Sequence, residues 1–577
     1  MKRIGLTVLA ALALAGCAQQ RVDGPPAPLT VKIIAFNDFH GALETPGRPI
    51  DVQIADGSVV KVPAGGAAYF ATAVKSLKAK AAHSVVVAAG DLTSASPLMS
   101  SVFLDEPTVK ALSMTGLEIN AAGNHEFDRG TEELLRLQNG GCAKLTQVKP
   151  CQLEPFKGAA YAYLAGNTVR ADGSSLLPGT TLRTFGSGKA AVKIGFIGIT
   201  TKLTGNYVSP DGIKGFTFAD EAETANRLAK SLKAQGADAI VMLVHEGGYP
   251  ARTDQPGKCE GLSGPIVDIV QKLDPAIDLV VSGHSHRAYI CDYGASDPAR
   301  PVLLTSAGNN GSMLTDIDLT FDPATRRVTA KRAVQVIVQG DGATSAAGPV
   351  KPVAAFPTFA ADPAVAAHVA RYAKAAEPLA KRVVGKASAA FVWDKDVTRE
   401  TTIGLLVADS QLAATRSNGA QMALMNPGGV RTGIEPAADG SVTFGDLYVV
   451  QPFGNNVQVV ELTGAQIRAV LEQQFAREPS AMILFPAGLT YSYDRSKPAG
   501  QRIIAPLVDG KPLNAATVYR VTVNSFLTSG GDGFTVFKDG KIVAGGMLDL
   551  DALEAWFARG EVVRPATLGR VKNLTPQ

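Results

Sequence analysis

Cysteine, histidine and tryptophan are scarce in this chain of 577 residues, at five, seven and two copies. No two cysteines stand in C-x-x-C spacing, which argues against a thiolate zinc site. The 56 Lys and Arg nearly balance the 52 Asp and Glu, and no long run of one sign occurs. The basic tail or stripe that a nucleic-acid polymer partner calls for is therefore missing. There is no internal repeat and no low-complexity block, so a globular chain of two or more domains is expected at this length. Long apolar runs are missing too, with one exception at the N-terminus.

There, Lys2 and Arg3 precede an apolar stretch from Ile4 to Ala15, and Leu14-Ala15-Gly16-Cys17 follows. A basic start, a short apolar segment and small residues before a cleavage point have the form of a secretory signal. The stretch is too short to span a bilayer, which takes ~20 apolar residues. Leu-Ala-Gly-Cys also resembles the bacterial lipobox, in which the cysteine becomes the lipidated first residue. The sequence thus predicts a signal peptide over 1–16, lipidation of Cys17, and a Gln-, Pro- and Ala-rich tether over 17–29. The protein would be exported and held at a membrane by lipid, facing the periplasm or the cell exterior, with its oligomeric state open. The four remaining cysteines are Cys142, Cys151, Cys259 and Cys291. In an exported protein they suggest disulfides; of three possible connectivities the local one, Cys142–Cys151 and Cys259–Cys291, is expected because each pair flanks one loop region.

β-Branched, continuously apolar runs recur at Val31–Phe36, Ser84–Ala89, Lys193–Ile199, Ala239–Val244, Ile277–Val281 and Val302–Leu304. They look like strands buried on both faces. Helical patterns between them, as at Tyr69–Ala82 and Glu221–Gln235, make the fold class α/β and layered over 30–340. A Gly-, Ala- and Pro-rich stretch and a helix opened by Asp362-Pro363 form a linker and connecting helix over 341–382, able to let the flanking domains move. A second, smaller α/β region follows over 383–570, where Thr463-Gly464-Ala465-Gln466 has capping-box spacing.

Polar residues are concentrated where the first region's strands end. Asn37-Asp38-Phe39-His40, Gly90-Asp91, Gly123-Asn124-His125-Glu126-Phe127-Asp128, His245-Glu246 and Gly283-His284-Ser285-His286 each follow an apolar run. In open α/β sheets ligands bind outside the carboxyl ends of strands, so these five segments would converge on one rim. Five of the seven histidines fall there. His83 and His368 have no such context and are read as structural. Mixed imidazole and carboxylate ligands suit zinc, manganese or similar divalent ions.

These five ordered blocks resemble the calcineurin-like metallophosphoesterases, and Asn124-His125-Glu126-Phe127-Asp128 narrows the resemblance to the 5′-nucleotidases. The resemblance implies two divalent metal ions. Asp38, His40 and His286 would hold one, Asn124, His245 and His284 the other, with Asp91 bridging both. It further implies that His125 donates a hydrogen bond to the phosphoryl oxygens, with Asp128 holding its tautomer, while a water attacks in line. Glu126 is read as structural or as a support behind the metal ligands.

The second region offers a Gly loop ending in a guanidinium, Asn426-Pro427-Gly428-Gly429-Val430-Arg431, and aromatics presented from turns, Phe453 and Phe526. Two exposed aromatics can sandwich a base, an Arg can pair with phosphate, and Asp532 can accept a ribose hydroxyl. Together they resemble the C-terminal domain of the 5′-nucleotidases, including the UDP-sugar hydrolase type. The resemblance implies substrate contacts from Arg399, Asn426, Arg431, Phe453, Asn455, Phe526 and Asp532, and a small-molecule nucleotide as partner. Pro427 departs from the glycine usual there. The expected activity is removal of phosphate from nucleoside 5′-monophosphates, with UDP-sugar cleavage as a second substrate class. The alternatives are a 2′,3′-cyclic-nucleotide phosphodiesterase/3′-nucleotidase, a thiosulfohydrolase, and a non-catalytic nucleotide-binding lipoprotein.

Overall fold

The computed structural model describes residues 27–576 apart from 47–48, 147, 209, 341–343, 346–347, 350 and 477–480. The expected signal peptide, Cys17 and nearly all of the tether lie outside the described residues. No described helix is long and apolar enough to cross a membrane.

The first half holds two six-stranded sheets. One runs in the order Val328–Ile337, Met313–Phe321, Leu29–Phe36, Ser84–Ala88, Ile119–Ala121, Ala162–Leu164. The other runs Ala288–Asp292, Leu303–Ala307, Leu279–Ser282, Ala239–His245, Val192–Thr200, Thr180–Phe185. Strand alternation explains why the central runs are apolar throughout. In Leu29–Phe36, Ile33 and Ala35 join Phe196, Val241 and Leu279 in the core between the sheets. Ile34 and Phe36 join Phe70, Val74 and Leu112 in a second core under the helices Ala67–Lys78 and Glu106–Thr115. A third core covers the outer face of the other sheet with Glu221–Ala234 and Pro265–Lys272. The result is helices, two sheets and helices in four layers.

Leu29–Phe36, Ser84–Ala88 and Ile119–Ala121 are parallel, as are Ala239–His245 and Leu279–Ser282. The carboxyl ends of the two sets meet at one rim, where the His284 amide donates to Asp38 Oδ2 at 3.0 Å and His245 Nδ1 lies 2.7 Å from the Ala89 carbonyl. Both disulfides form as expected, Cys142–Cys151 and Cys259–Cys291.

The helix Pro363–Ala380 is capped by Asp362, whose Oδ1 accepts the Ala364 and Val365 amides at 3.1 Å each. Its Val365, Tyr372 and Ala376 belong to the first half's core, and His368 Nε2 lies 2.8 Å from the Pro107 carbonyl. Most of this helix is thus rooted in the first half, while Ala380 at its end packs on the core of the second half. Beyond it, a five-stranded sheet runs Phe485–Ala487, Met422–Met425, Val518–Asn524, Asn456–Thr463, Lys541–Leu548. Three- and four-stranded sheets flank it, and the helices Thr402–Thr415, Gly464–Gln473 and Asp549–Phe557 cover it. The capping box at Thr463 and Gln466 is present.

Candidate functional site

The rim gathers two clusters of ligating atoms: Asp38, His40 and His286 in one, Asp91, His245 and His284 in the other. Five of these six residues, all but His245, have left-handed backbone, with φ between 46° and 67°. Non-glycine residues held there cost ~1–3 kcal/mol each, and such outliers gather at ligand-clamping sites. The neighbouring glycines make the geometry possible. A Cβ on Gly123 would lie 2.2 Å from Asp91 Oδ1, and one on Gly283 would lie 2.9 Å from Asp38 Oδ2.

Hydrogen bonds leave the ligating atoms facing inward. His40 Nδ1 bonds the Ser94 carbonyl at 3.0 Å and His245 Nδ1 the Ala89 carbonyl at 2.7 Å, which turns each Nε2 toward the centre. His40 Nε2 and His286 Nε2 meet at 3.1 Å. Asp91 Oδ2 lies 3.7 Å from His40 Nε2 and 2.9 Å from His245 Nε2, so one carboxylate touches both clusters. His245 Nε2 is nevertheless out of hydrogen-bonding alignment, and Asn124 Oδ1 is likewise buried without a partner. A buried acceptor left orphaned costs ~1–3 kcal/mol unless something satisfies it. Asn124 Oδ1, an orphaned acceptor beside clustered carboxylates and imidazoles, is what a divalent cation would satisfy.

Protonation fits as well. Burial opposes ionisation of Asp91, yet the His245 and His125 imidazoles hold its carboxyl well below the usual range. Asp38 is lowered by His286 against the same burial. Burial pushes His40 down to about 3 and lowers His284 too, the latter helped by the neighbouring His245. Ionised carboxylates and neutral imidazoles are what metal binding requires. His245 differs: burial opposes its charge, but Asp91 lifts it to about 10, so a proton sits there that a cation would displace.

Two further residues hold this rim. Glu126, buried, accepts the backbone amides of Asp91 (2.9 Å), Leu92 (2.7 Å), Thr93 (3.2 Å) and Gly123 (2.6 Å). It thereby clamps the Asp91 loop to the Asn124 loop. Asn37 donates to Asp38 Oδ2 at 2.7 Å and to the Gly308 carbonyl at 2.6 Å. Sequence reasoning assigned Asn37 no role; its place beside Asp38 was the available signal.

His125 stands above the clusters. Its backbone amide donates to Asp91 Oδ1 at 2.9 Å, and its Nδ1 lies 2.7 Å from Asp128 Oδ2. Burial opposes its protonation, but Asp128 and Asp91 raise it to about 9.

A cavity of about 580 Å³ opens beside this rim, and both halves line it. The first half contributes Asn124, His125, Asp128 and His284; the second contributes Asn426, Arg431, Phe453, Asn455, Phe526 and Asp532. The Phe453 ring lies 5.9 Å from the His125 ring and 13° from parallel, with the Arg431 guanidinium 5.6 Å from the Phe453 centroid. Asn426 Nδ2 donates to Asp532 Oδ2 at 2.7 Å, and Asn524 Nδ2 donates to Asn426 Oδ1 at 3.0 Å. Asn455 Nδ2 turns instead to Asp549 Oδ2, at 3.3 Å. Pro427 opens a short 3₁₀ turn over Pro427–Gly429 that carries the chain toward Arg431.

Arg399 departs from the expectation. It does not line the cavity; its side chain is 72% exposed and pairs with Asp396 at 2.9 Å. The tight turn Asp396–Arg399, with the Arg399 amide bonded to the Asp396 carbonyl at 3.2 Å, keeps it outside. Tyr207 and Arg129 line the cavity although the sequence did not mark them. Tyr207 packs on His284 at 5.4 Å between rings, while Arg129 donates to Asp105 Oδ2 at 2.6 Å.

Comparison with known proteins agrees with this architecture. The family model described as calcineurin-like phosphoesterase matches residues 31–288, and the one described as 5′-nucleotidase, C-terminal domain, matches 383–539. The chain is 30% identical over 572 residues to the cell wall protein Lmo0130 of Listeria monocytogenes, covering 93% of this chain and 68% of that protein. It is 29% identical over 514 residues to the endonuclease YhcR of Bacillus subtilis, covering 89% of this chain but only 38% of that longer protein. Among solved structures, a 5′-nucleotidase precursor from Thermus thermophilus superposes with a TM-score of 0.71 at 25% identity, over 95% of this chain and 99% of that one.

Proposed function

The chain belongs to the calcineurin-like phosphoesterases that carry a 5′-nucleotidase C-terminal domain, and on that premise we propose that it is a phosphoric monoester hydrolase acting on nucleoside 5′-monophosphates, with UDP-sugars as a second substrate class. The observation that carries this reading is the shared cavity, which has the ligand clusters and His125 on one side and Arg431, Phe453, Phe526 and Asp532 on the other. A phosphate at the rim and a base among the aromatics would lie in one continuous space, and its volume is in the range of small-ligand sites.

Asp38, His40 and His286 would hold one divalent cation and Asn124, His245 and His284 a second, with Asp91 shared between them. When bound, such ions supply a nucleophilic water at neutral pH and neutralise charge on the phosphoryl oxygens. The chain's own residues do the rest. His125, kept protonated by Asp128, donates to the phosphoryl oxygens as negative charge accumulates. With cations at Asp91 that carboxylate no longer supports the His125 proton, but the 2.7 Å contact with Asp128 remains. Arg431 places a permanent positive charge on the far side of the phosphate. Phe453 and Phe526 offer ring faces to the base, and Asp532, oriented by Asn426, offers an oxygen to the ribose.

Export and a lipid anchor at Cys17 belong to the same proposal. The N-terminal signal pattern supports them, and two disulfides are in keeping with an oxidising compartment.

The test is kcat/KM for AMP, 3′-AMP, 2′,3′-cyclic AMP and UDP-glucose with zinc, manganese and other divalent ions added singly. AMP should be turned over with the highest kcat/KM. A preference for 3′-AMP or the cyclic ester would overturn the 5′ reading, and binding of AMP without turnover under every metal would overturn the hydrolase.

A further inference from the structure

One apolar side chain in the cavity is explained neither by the rim nor by the loops of the second half. Leu145 lines the cavity with Tyr207, Val208, Phe453 and Phe526. It comes from the segment between the helix Thr131–Asn139 and the strand Ala162–Leu164, whose described residues have no helix or strand. Leu145 is 41% exposed and belongs to none of the apolar cores. Folding alone gains little from placing a leucine there.

The segment is nevertheless firmly rooted. Cys142 and Cys151 are joined across nine positions, with their Cα atoms 5.6 Å apart. The Cys151 amide donates to Glu106 Oε1 at 3.0 Å and Oε2 at 3.1 Å. Arg136 donates to the Gly141 carbonyl at 3.0 Å and to Glu106 at 2.8 Å, in an ion pair whose side chains are both 3% exposed. Gln152 Nε2 donates to the Val102 carbonyl at 2.6 Å. Both feet of the loop are thus held by a disulfide and by a buried charge network, while its tip carries a leucine into the cavity. A loop tied at both feet that presents an apolar group to a ligand space is built for contact rather than for stability.

We propose that the segment 142–146, pinned through the Cys142–Cys151 disulfide, is a specificity element whose Leu145 completes, with Tyr207 and Val208, the first half's apolar wall of the nucleobase pocket. The inference rests on the nucleotide reading above. The groups that would serve phosphate and ribose are polar or charged, so the base is the part of a nucleotide that an isobutyl group can shield from water. Leu145 and the two phenylalanines then come from opposite halves, and the base is enclosed only when both are in place.

The experiment compares AMP with ribose 5-phosphate, which keeps the phosphate and the sugar and lacks the base. For Leu145→Ala in the full, metal-loaded chain, kcat/KM for AMP should fall about 5- to 20-fold, mostly through KM, as expected when about one to two methylene groups of pocket contact are lost. Ribose 5-phosphate should change by less than about twofold, because uniform binding of its phosphate and sugar is untouched. The double variant Cys142→Ser/Cys151→Ser should shift AMP in the same direction if pinning the loop is what positions Leu145. Phe453→Ala is run alongside. If it impairs AMP selectively while Leu145→Ala does not, the Leu145 inference is overturned and the nucleotide reading stands. If neither variant separates AMP from ribose 5-phosphate, the nucleotide reading itself fails. Equal losses on both substrates for Leu145→Ala would make the leucine structural and also overturn the inference.

Discussion

On the rim side of the cavity, Asp38, Asp91 and His245 are fully buried, and five ligand candidates are held in left-handed backbone. On the opposite side, Phe453 and Phe526 are half-buried and Arg431 is exposed to the cavity, and of that side's predicted contacts only Asp532 has positive φ, at 54°. The two sides answer different demands. Cation ligands must be fixed to within a few tenths of an ångström, and burial, strain and short hydrogen bonds do that. A base needs only flat faces near it, which loops supply at little conformational cost. The rim side is thus stiff and intolerant of change, and the other side is adjustable.

The largest effect should come from the carboxylate that touches both clusters. Asp91→Ala is expected to reduce hydrolysis of every substrate to background, and elemental analysis should show loss of bound metal from close to two ions per chain in the wild type. Near-normal turnover in that variant would remove the dinuclear assignment.

His125→Asn should keep its metal while kcat falls by roughly 10²–10³, the scale of losing one donor to the transition state. Metal analysis beside steady-state kinetics checks this, and loss of metal would make His125 a ligand instead.

Glu126→Gln tests whether the stiffness resides in the clamp beneath the ligands. An amide NH₂ would face backbone donors that now share two carboxylate oxygens, so metal affinity or activity should drop by about 10- to 100-fold. Titration with a competing chelator measures it. An unchanged affinity would show that the Asp91 loop holds its strained shape without Glu126.

Phe453→Ala probes the adjustable side. Base stacking is worth ~1–3 kcal/mol, so kcat/KM for AMP should fall by about one to two orders of magnitude while p-nitrophenyl phosphate is nearly spared. Equal losses on both substrates would place Phe453 with the rim.

The smallest effect is a displacement of the pH profile. Asp128 favours the charged form of His125, so Asp128→Asn lowers the His125 pKa. His125 then loses its proton at lower pH, and the alkaline fall of kcat should begin roughly 1–3 units earlier. A profile that keeps its alkaline limb would show that another group sets it.

Much of this molecule is written in local pattern. Strands such as Val31–Phe36 and Ala239–Val244 are legible because both faces are buried, so the whole run must be apolar. The ligand candidates are legible because each follows such a run directly, and parallel strands bring their ends together without further information. The Cys142–Cys151 disulfide follows from a short loop, whereas Cys259–Cys291 closes a 32-residue span holding the helix Pro265–Lys272 and the strand Leu279–Ser282. Other features depend on neighbours distant in sequence. Asn37 was visible as part of a block, but its grip on Gly308 was not. Tyr207 and Leu145 reach the cavity through irregular segments whose paths no periodicity encodes. Arg399 looks like a phosphate-contacting arginine by its motif, yet a turn at Asp396 holds it in solvent.

By itself, then, the sequence determined the layered α/β class, the positions of the strand-end acids and imidazoles, and the aromatic loops of the second half, since each rests on the period and chemistry of a few adjacent residues. Only the tertiary structure decided that both halves line one cavity, that Phe453 lies over His125, that Glu126 clamps two ligand loops, and that most of the connecting helix is rooted in the first half. Those outcomes depend on side-chain direction and on packing between segments tens to hundreds of residues apart, where each contact is selected by everything around it rather than by its own neighbours in the chain.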